Sequence, residues 1–255
     1  MSAHPSLPPS KSFLGIDGCH SGWIGVTINN KAEFEQVHFW QDTSEMMAQV
    51  SLAALALIDI PIGLPDPPQS RRPCDVEARK LLGPRRSSVF LPALRCALQK
   101  TSYSAASQAN HRACGKKFSI QMWNILPRIK AVDRIIRSRP RLQRVLRESH
   151  PEICFWALSG GKPVMESKKT VAGMRRRLRL VSRHTSNSRE FFNSAQRSWP
   201  RAQVAIDDVL DAMALALTAM QGSLAGLVSL PSSPSRDSQG LRMEIVYCKW
   251  SATMS

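Results

Sequence analysis

The first 60 residues restrict the fold more than any other part of the chain, because short apolar runs alternate there with turn-forming residues. Three runs rich in β-branched and aromatic residues follow one another closely, namely SFLGIDG, GWIGVTIN and EFEQVHFW. The segments between them are short and carry Asn and small polar residues. Connections of this kind join neighbouring antiparallel strands. The pattern therefore predicts a three-stranded antiparallel meander.

The next two segments predict that the meander is part of a mixed α/β sheet. DTSEMMAQVSLA has helical apolar spacing behind an N-capping Asp or Thr. ALALIDIP is a continuous apolar run, which is typical of a strand buried on both faces. A helix between two strands implies a parallel crossover. We therefore expect the fourth strand to lie parallel to a strand of the meander.

The rest of the chain predicts a helical insertion and a return to the sheet. Residues 64–147 consist of proline turns and basic helical segments. HPEICFWAL then predicts a strand, SKKTVAGMRRRLRLVSRH a strongly basic helix, DDVLDAMALALTAMQG an amphipathic helix ending at Gly222, and RMEIVYCKW a last strand. We expect one domain over residues 12–250, with a disordered Pro- and Ser-rich leader at 1–11 and a short tail at 251–255.

Charge and cysteine content narrow the classes of function. Lys and Arg number 35 against 19 Asp and Glu, a net charge of +16, which attracts polyanions such as nucleic acid. The longest apolar run, residues 52–58, is far shorter than the ~20 residues that span a membrane. The six cysteines include no Cys-x-x-Cys pair, which argues against a zinc ribbon and a redox motif. These features predict a cytoplasmic protein with reduced thiols and no membrane partner.

Five carboxylates stand at the boundaries of apolar segments, where an ionised group is costly unless it is paired or bound to a cation. Asp17 ends the first strand, Asp59 lies within LALIDIPIG and Glu152 within SHPEICFWAL, while Asp208 and Asp211 share one face of the last helix. Hard oxygen ligands suit Mg²⁺ or Mn²⁺. We therefore predict a catalytic site with two divalent ions, whose ligands are Asp17, Asp59, Glu152, Asp208 and Asp211.

Glycines and basic residues near these acids predict contact with a nucleic-acid backbone. Gly15, Gly18 and Gly22 leave space around Asp17 for ions and phosphate. The residues expected to contact nucleic acid are Lys168, Lys169, Arg175, Arg176, Arg177 and Arg179, with Arg183 at the end of the run. A solvated basic face stays open as the alternative for all of them. Asp207 is expected to act only as the N-cap of the last helix.

The ordered set GIDG, IDIPIGLPD, CDVEAR, SHPEICF, SKKTVAG and DDVLDAMALA resembles the family described as predicted RNase H-like nucleases, domain of unknown function 429. The resemblance spans about residues 12–250. It implies an RNase H-like sheet of five strands, three antiparallel and two parallel, with Asp17 on the first strand and Asp59 on the fourth. Glu152 matches the acid of the family's HPE motif, and Asp208 and Asp211 match its acidic helix, which also resembles that of RuvC-type resolvases. The choice between Asp59 and Glu152 as second metal ligand stays open.

The leading hypothesis from the sequence is a metal-dependent nuclease that hydrolyses phosphodiester bonds with water by a two-metal mechanism. One alternative is a non-catalytic nucleic-acid-binding module with the same fold. Another is a phosphotransferase of the sugar-kinase and actin type, which needs a second glycine-rich phosphate loop, and LSGGKP is its only candidate. The sequence leaves open whether the substrate is DNA, RNA or a small nucleotide, and whether the protein forms a homodimer.

Overall fold

The computed structural model describes residues 12–250, so the predicted leader at 1–11 and tail at 251–255 lie outside the described residues. Its strands are β1 (Phe13–Cys19), β2 (Gly22–Ile28), β3 (Phe34–Trp40), β4 (Leu55–Ile58), β5 (Leu146–Glu148), β6 (Val228–Leu230) and β7 (Ile245–Tyr247). Its helices are α1 (Thr43–Val50), α2 (Pro73–Leu82), α3 (Tyr103–Cys114), α4 (Ile120–Ser138), α5 (Leu142–Val145), α6 (Pro151–Leu158), α7 (Val171–Val181), α8 (Ser188–Ala195) and α9 (Ile206–Ala225). Two 3₁₀ helices span Gly83–Ser88 and Arg95–Gln99.

The first five strands form one mixed sheet in the order β3-β2-β1-β4-β5. β1, β2 and β3 pair antiparallel, whereas β4 pairs parallel to β1 and β5 pairs parallel to β4. Helix α1 provides the crossover from β3 to β4, and helices from α2 to α5 fill the insertion between β4 and β5. The five-stranded α/β sheet, the meander and the helical insertion predicted from the sequence are therefore confirmed.

Strand β1 has an apolar layer on each face. Leu14 and Ile16 pack with residues of α1 and α4 on one side, whereas Phe13 packs with α9 on the other. Gly15 lies against α9 so closely that a Cβ atom there would be 2.1 Å from the carbonyl oxygen of Ala212. Since side chains alternate along a strand, Asp17 is on the same face as Phe13 and Gly15. The close approach of α9 therefore brings its acidic first turns next to Asp17.

Helix α9 differs from the amphipathic helix predicted for this segment. Every residue from Val209 to Met220 is buried, because the sheet covers one side of the helix and α6, α7 and α8 cover the other. The helix also continues past Gly222 and ends before Gly226, whose φ is +90°. A Cβ atom at Gly222 would lie 2.2 Å from the Leu227 side chain, so this glycine permits close packing and does not end the helix.

The prediction that HPEICFWAL forms a strand is wrong, since this segment is helix α6. Pro151 occupies the first turn, where a missing N–H is tolerated, and His150 caps the helix by accepting a hydrogen bond from the Glu152 amide at 3.2 Å. A short apolar run does not distinguish a buried strand from a buried helix. The fifth strand is instead the preceding three residues, β5, and RMEIVYCKW contributes only β7, which pairs with β6 in a separate sheet. No helix within residues 12–250 has the length and apolar character needed to cross a membrane.

Candidate functional site

Two of the predicted acids meet at the carboxyl edge of the parallel strands β1 and β4. Ile16 and Ile58 are paired across the two strands, so the residues that follow them, Asp17 and Asp59, are neighbours. The Asp59 amide donates a hydrogen bond to the Ile16 carbonyl oxygen at 3.0 Å, which extends the pairing by one step. Ligand sites in open α/β sheets commonly lie at this edge. The sheet itself therefore places two carboxylates side by side.

Helices α6 and α9 add two more carboxylates to the same place. Glu152 lies in the first turn of α6, and Asp211 projects from α9 with only 1% of its surface exposed. A cavity of about 370 Å³ has a lining that includes Asp17, Asp59, Glu152 and Asp211 together with Gly18, Arg85, Phe90, Arg128, His150 and Lys168, and at one side Asp75 and Glu148, which are paired with the buried Arg72. The structure thus brings together four of the five acids that the sequence singled out.

Asp208 is the acid that the structure does not bring into the cavity lining. Its carboxylate turns back along the helix and accepts a hydrogen bond from the Ala205 amide at 3.1 Å. The prediction that Asp207 is the N-cap is also wrong, because Ala205 precedes the first turn of α9 and Asp208 satisfies its amide. Asp207 instead binds Lys169, whose Nζ lies 2.7 Å from Oδ2. The i, i+3 spacing indicated a shared helix face but did not reveal that one acid serves as a helix cap.

Lys168 is the only lysine among the described residues that line the cavity, and it contacts carboxylates. Its Nζ donates to Oδ2 of Asp211 at 2.6 Å and lies 3.3 Å from Oδ2 of Asp207. Asp17 and Asp59 are close enough to Lys168 for its charge to lower their pKa values. Three cavity carboxylates, Asp17, Asp59 and Asp211, therefore share one ammonium group.

Burial, together with repulsion between the acids, changes their protonation. Burial raises the pKa of Asp17 well above its ordinary value, and repulsion from Asp59 and Asp211 adds to the rise. Burial raises the pKa of Asp211 to about 6, although Lys168 opposes the shift. The pKa of Asp59 is also raised, mainly by burial. The three groups resist simultaneous ionisation unless a further cation joins them.

Glu152 differs from these three because it has arginine partners. Arg177 donates from Nη2 to Oε1 of Glu152 at 2.6 Å, and Nη2 of Arg85 lies 3.6 Å from the same oxygen. The guanidinium of Arg177 also lies over the Phe155 ring, 5.4 Å from its centroid. Glu152 is thus committed to an ion pair that joins α6 to α7.

The same contacts contradict the prediction that Arg177 binds nucleic acid, because its side chain is only 1% exposed. Arg175, Arg179 and Arg183 are exposed on or just after α7, and Arg176 is half-buried. Their contact with nucleic acid stays a prediction, as does that of Lys169, whose side chain is 66% exposed. The sequence predicted a single basic surface, because the spacing of the arginines does not show which side of α7 faces the core.

The glycines near Asp17 also differ in role from the prediction. A Cβ atom at Gly22 would lie 2.1 Å from the Trp40 carbonyl oxygen, so this glycine, like Gly15, is required for backbone packing. Of these three glycines, only Gly18 lines the cavity. A Cβ atom there would lie 3.5 Å from the Arg128 side chain. Free space beside the acids therefore comes from one glycine.

Several residues of the cavity wall were missed by sequence reasoning. Arg85 and Phe90 come from the segment around the first 3₁₀ helix, and Arg128 comes from α4. Arg128 donates to the carbonyl oxygens of Cys19 and His20, which fixes it beside β1. No local motif marks these positions. They become neighbours of the acids only when the insertion folds back over the sheet edge.

The donor chemistry of the cavity fits a hard divalent cation. Oδ1 of Asp211 and Oε2 of Glu152 are buried without a hydrogen-bond partner, and carboxylate oxygens are the ligands that Mg²⁺ and Mn²⁺ prefer. In the described part of the chain, no three His, Cys, Asp or Glu side chains are arranged so that they could hold a metal ion as they stand. The cavity acids would therefore have to move to coordinate one. Lys168 instead contacts the carboxylate of Asp211.

His150 and the LSGGKP segment do not offer reactive groups to the cavity. His150 lines it, but its Nδ1 accepts from the Glu152 amide and its Nε2 is 3.2 Å from the Ser88 carbonyl oxygen, so both ring nitrogens are occupied. The LSGGKP loop follows α6, and none of its residues is among those that line the cavity. The structure thus offers no support for the phosphate loop that a phosphotransferase would need.

Comparison with known proteins gives one match. A family model described as "Protein of unknown function (DUF429)" matches residues 15–236, which include nearly all of the five-stranded sheet, the insertion and the four predicted acids that line the cavity. No curated protein and no solved structure matches the chain.

Proposed function

The chain belongs to the DUF429 family of proteins of unknown function, and for this member we propose a metal-dependent nuclease that hydrolyses phosphodiester bonds of nucleic acid. The observation that carries the proposal is the meeting of Asp17, Asp59 and Asp211 at one sheet edge, where Lys168 forms the salt bridge to Asp211 and the pKa values of all three acids are still raised. Buried carboxylates in such an excess are stabilised by added cations, and cation-bound carboxylates are suited to phosphoryl chemistry.

We propose Asp17, Asp59 and Asp211 as the residues that hold Mg²⁺ or Mn²⁺, with two ions as the sequence suggested. Asp59 is preferred to Glu152 as the second ligand, because Glu152 is already paired with the buried Arg177. Bound divalent ions would activate water and neutralise the charge that develops on the phosphate. Glu152 would act through Arg177, by fixing α6 and α7 at the cavity wall.

The basic residues of the wall would position the phosphate. Nε of Arg85 is buried without a hydrogen-bond partner, so the guanidinium has a donor free for an anion. Arg128 is held beside Gly18, where a Cβ atom would lie 3.5 Å from its Nη1. Guanidinium groups bind phosphate through paired hydrogen bonds. Lys168 would add a third positive group near the reacting phosphate.

Partner and location follow from the same reasoning. The net charge of +16 favours nucleic acid as the substrate. Within the described residues all six cysteines are free thiols, which is compatible with the reducing cytoplasm that we propose as its location. A homodimer stays within the proposal, and neither the sequence nor the fold favours it.

One observation favours a second candidate function, the non-catalytic binding module. The Lys168 ammonium already contacts Asp211 and Asp207, as a built-in substitute for a bound cation would. In that case the cavity would bind no metal, and the basic surface alone would bind nucleic acid. The two candidates differ in what happens when a divalent ion is added.

The test compares wild type with Asp17→Asn and Asp208→Asn for Mn²⁺ binding by calorimetry and for cleavage of labelled DNA and RNA. We expect Asp17→Asn to lose both while its melting temperature in EDTA stays equal to or above that of wild type, because the shape is retained and a buried charge that repels Asp59 and Asp211 is removed. Asp208→Asn should keep both, because its carboxylate lies outside the cavity lining. Wild-type cleavage by Asp17→Asn would contradict the proposal. Nucleic-acid binding by a wild-type protein that binds no Mn²⁺ would favour the module.

A further inference from the structure

A second pocket lies beside the acidic cavity and has the opposite charge. Its volume is about 460 Å³, and four basic side chains line it, Arg71, Arg79, Lys80 and Arg86. No carboxylate is among the described residues that line it. The volume is within the range of about 300–1,000 Å³ that ligand sites usually have. Helix α2 and the 3₁₀ helix that follows it supply all the basic residues except Arg71.

These basic side chains form no ion pair within the described part of the protein. None of the four side chains forms an ion pair there with Asp or Glu. Arg71, Lys80 and Arg86 are exposed, whereas Arg79 is half-buried and donates from Nη1 to the Val89 carbonyl oxygen at 2.6 Å. Like charges that share a concave surface repel one another, and an anion relieves that repulsion. The pocket is therefore suited to phosphate groups.

One short segment, residues 83–91, separates the pocket from the cavity. Arg85 and Phe90 line the cavity, whereas the residues next to them, Arg86 and Leu91, line the basic pocket. Consecutive Cα atoms are about 3.8 Å apart, so adjacent residues of this one segment border the two sites. Phe90 is 54% exposed although it borders the cavity. The exposed Phe90 ring is therefore on the segment that borders both sites.

We infer that the basic pocket binds backbone phosphates of a single-stranded nucleic acid, and that Phe90 stacks on a base between this pocket and the acidic cavity. Exposed aromatic rings beside basic grooves bind bases that are free to leave a helical stack, which favours a single strand over a duplex. Binding of phosphate in the pocket follows from its own charges. Only the path from pocket to cavity rests on the proposed nuclease function.

The experiment measures binding of a short fluorescent single-stranded oligonucleotide by anisotropy, in EDTA and over a series of salt concentrations. The pocket variant is Arg71→Ala/Lys80→Ala/Arg86→Ala, which spares Arg79 because that side chain holds Val89. The matched control is Lys31→Ala/Arg189→Ala/Arg197→Ala, in which three exposed basic residues are removed from the β2–β3 turn and the α8 region. Both variants lose the same net charge.

We expect the pocket variant to bind at least about tenfold more weakly, with the slope of log affinity against log salt lower by about 2, since each phosphate contact on a single strand contributes about 0.7. The control should change little. Equal losses in the two variants would show that only net charge matters and would overturn the inference. Inorganic phosphate and a mononucleotide are also tested as competitors of the labelled oligonucleotide. A mononucleotide that displaces the oligonucleotide at equal concentration would contradict a site for a continuous strand.

Phe90→Ala tests the stacking step separately. We expect it to weaken single-strand binding about tenfold and to leave duplex binding unchanged. An equal effect on both substrates, or on neither, would overturn the single-strand assignment. Because binding is measured without divalent ions, the outcome does not depend on catalysis. Pocket-dependent binding by a protein that never cleaves would refute the nuclease and preserve the pocket, whereas cleavage with pocket-independent binding would do the reverse.

Discussion

Two groups of buried charged residues lie next to each other in this protein, and they differ in how many of their polar atoms have hydrogen-bond partners. In the arginine-centred cluster, formed by Arg72, Asp75 and Glu148, the guanidinium is 0% exposed and hydrogen-bonds both carboxylates. Arg72 also donates to the carbonyl oxygens of Ile62 and Gly63, and none of the three side chains has a buried polar atom without a partner. This cluster is saturated with hydrogen bonds.

The cavity acids Asp17, Asp59 and Asp211 lack that saturation. Within residues 12–250, Lys168 is the one cationic side chain hydrogen-bonded to any of them, and Oδ1 of Asp211 has no partner there. Both groups are removed from water, so the difference lies in the supply of positive donors. A saturated ion cluster stabilises a fold only as long as every member is present, whereas an unsaturated one is suited to an external ligand. The comparison therefore separates charge that stabilises structure from charge that is available for function.

The largest expected effect comes from breaking the saturated cluster. Arg72→Met leaves Asp75 and Glu148 buried without their cation, so we expect the free energy of unfolding to fall by about 3–5 kcal/mol. Urea unfolding measures the loss. The neighbouring Arg71→Met should change stability by no more than about 0.5 kcal/mol, because Arg71 is exposed. An unchanged unfolding midpoint in Arg72→Met would show that the arginine-centred cluster does not stabilise the fold.

A smaller effect of opposite sign is expected in the cavity. Because the pKa of Asp211 is raised from 3.8 to about 6, its contribution to stability is present below its unfolded-state pKa and is lost as the pH rises through the folded-state value. Between about pH 4 and pH 7 in EDTA, wild type should lose on the order of 2 kcal/mol relative to Asp211→Asn.

The measurement is urea unfolding of both proteins at the two pH values, with Asp208→Asn as the control. Asp208 accepts a backbone hydrogen bond that Asn can also accept, so its substitution should leave the pH dependence closer to that of wild type. Parallel pH profiles for wild type and Asp211→Asn would show that the cavity acids are not under mutual repulsion.

The smallest effect is expected from Lys168→Met. The lysine side chain is 35% exposed, so solvent screening limits the expected loss of stability at neutral pH to about 1 kcal/mol. Added Mn²⁺ should restore this loss, because the ion replaces the missing positive charge. Thermal unfolding with and without Mn²⁺ measures both steps, and Lys169→Met is the matched control. A loss that Mn²⁺ does not reverse would mean that Lys168 is part of a closed structural cluster like that of Arg72.

The sequence predicts the fold better than it predicts the contacts of the site. The meander, the crossover and the carboxyl-edge positions of Asp17 and Asp59 follow from local patterns, since strand order and turn length depend on neighbouring residues. The apolar run in HPEICFWAL is compatible with either a buried strand or a buried helix. It forms a helix because Pro151 and the capping His150 favour a helix start there.

The remaining differences depend on long-range packing. Arg177 is separated by 25 positions from Glu152, and nothing in the basic run shows that its third arginine turns inward. The cavity wall is similar, because Arg85 and Arg128 reach the acids only through the folded insertion. Tertiary contacts with basic residues therefore decide which acids are left without a salt-bridge partner. The spacing of the acids in the sequence does not predict those contacts.

The central claim is that Asp17, Asp59 and Asp211 form an unsaturated site for divalent cations. Crystals of the wild-type protein soaked in Mn²⁺ test it most directly, because anomalous scattering locates the metal and identifies its ligands. We predict Mn²⁺ within coordination distance, about 2.0–2.3 Å, of carboxylate oxygens of these three residues, with the Lys168 contact to Asp211 lost or lengthened. A cavity without anomalous signal, in which Lys168 still binds Asp211 and Asp207, would contradict the claim.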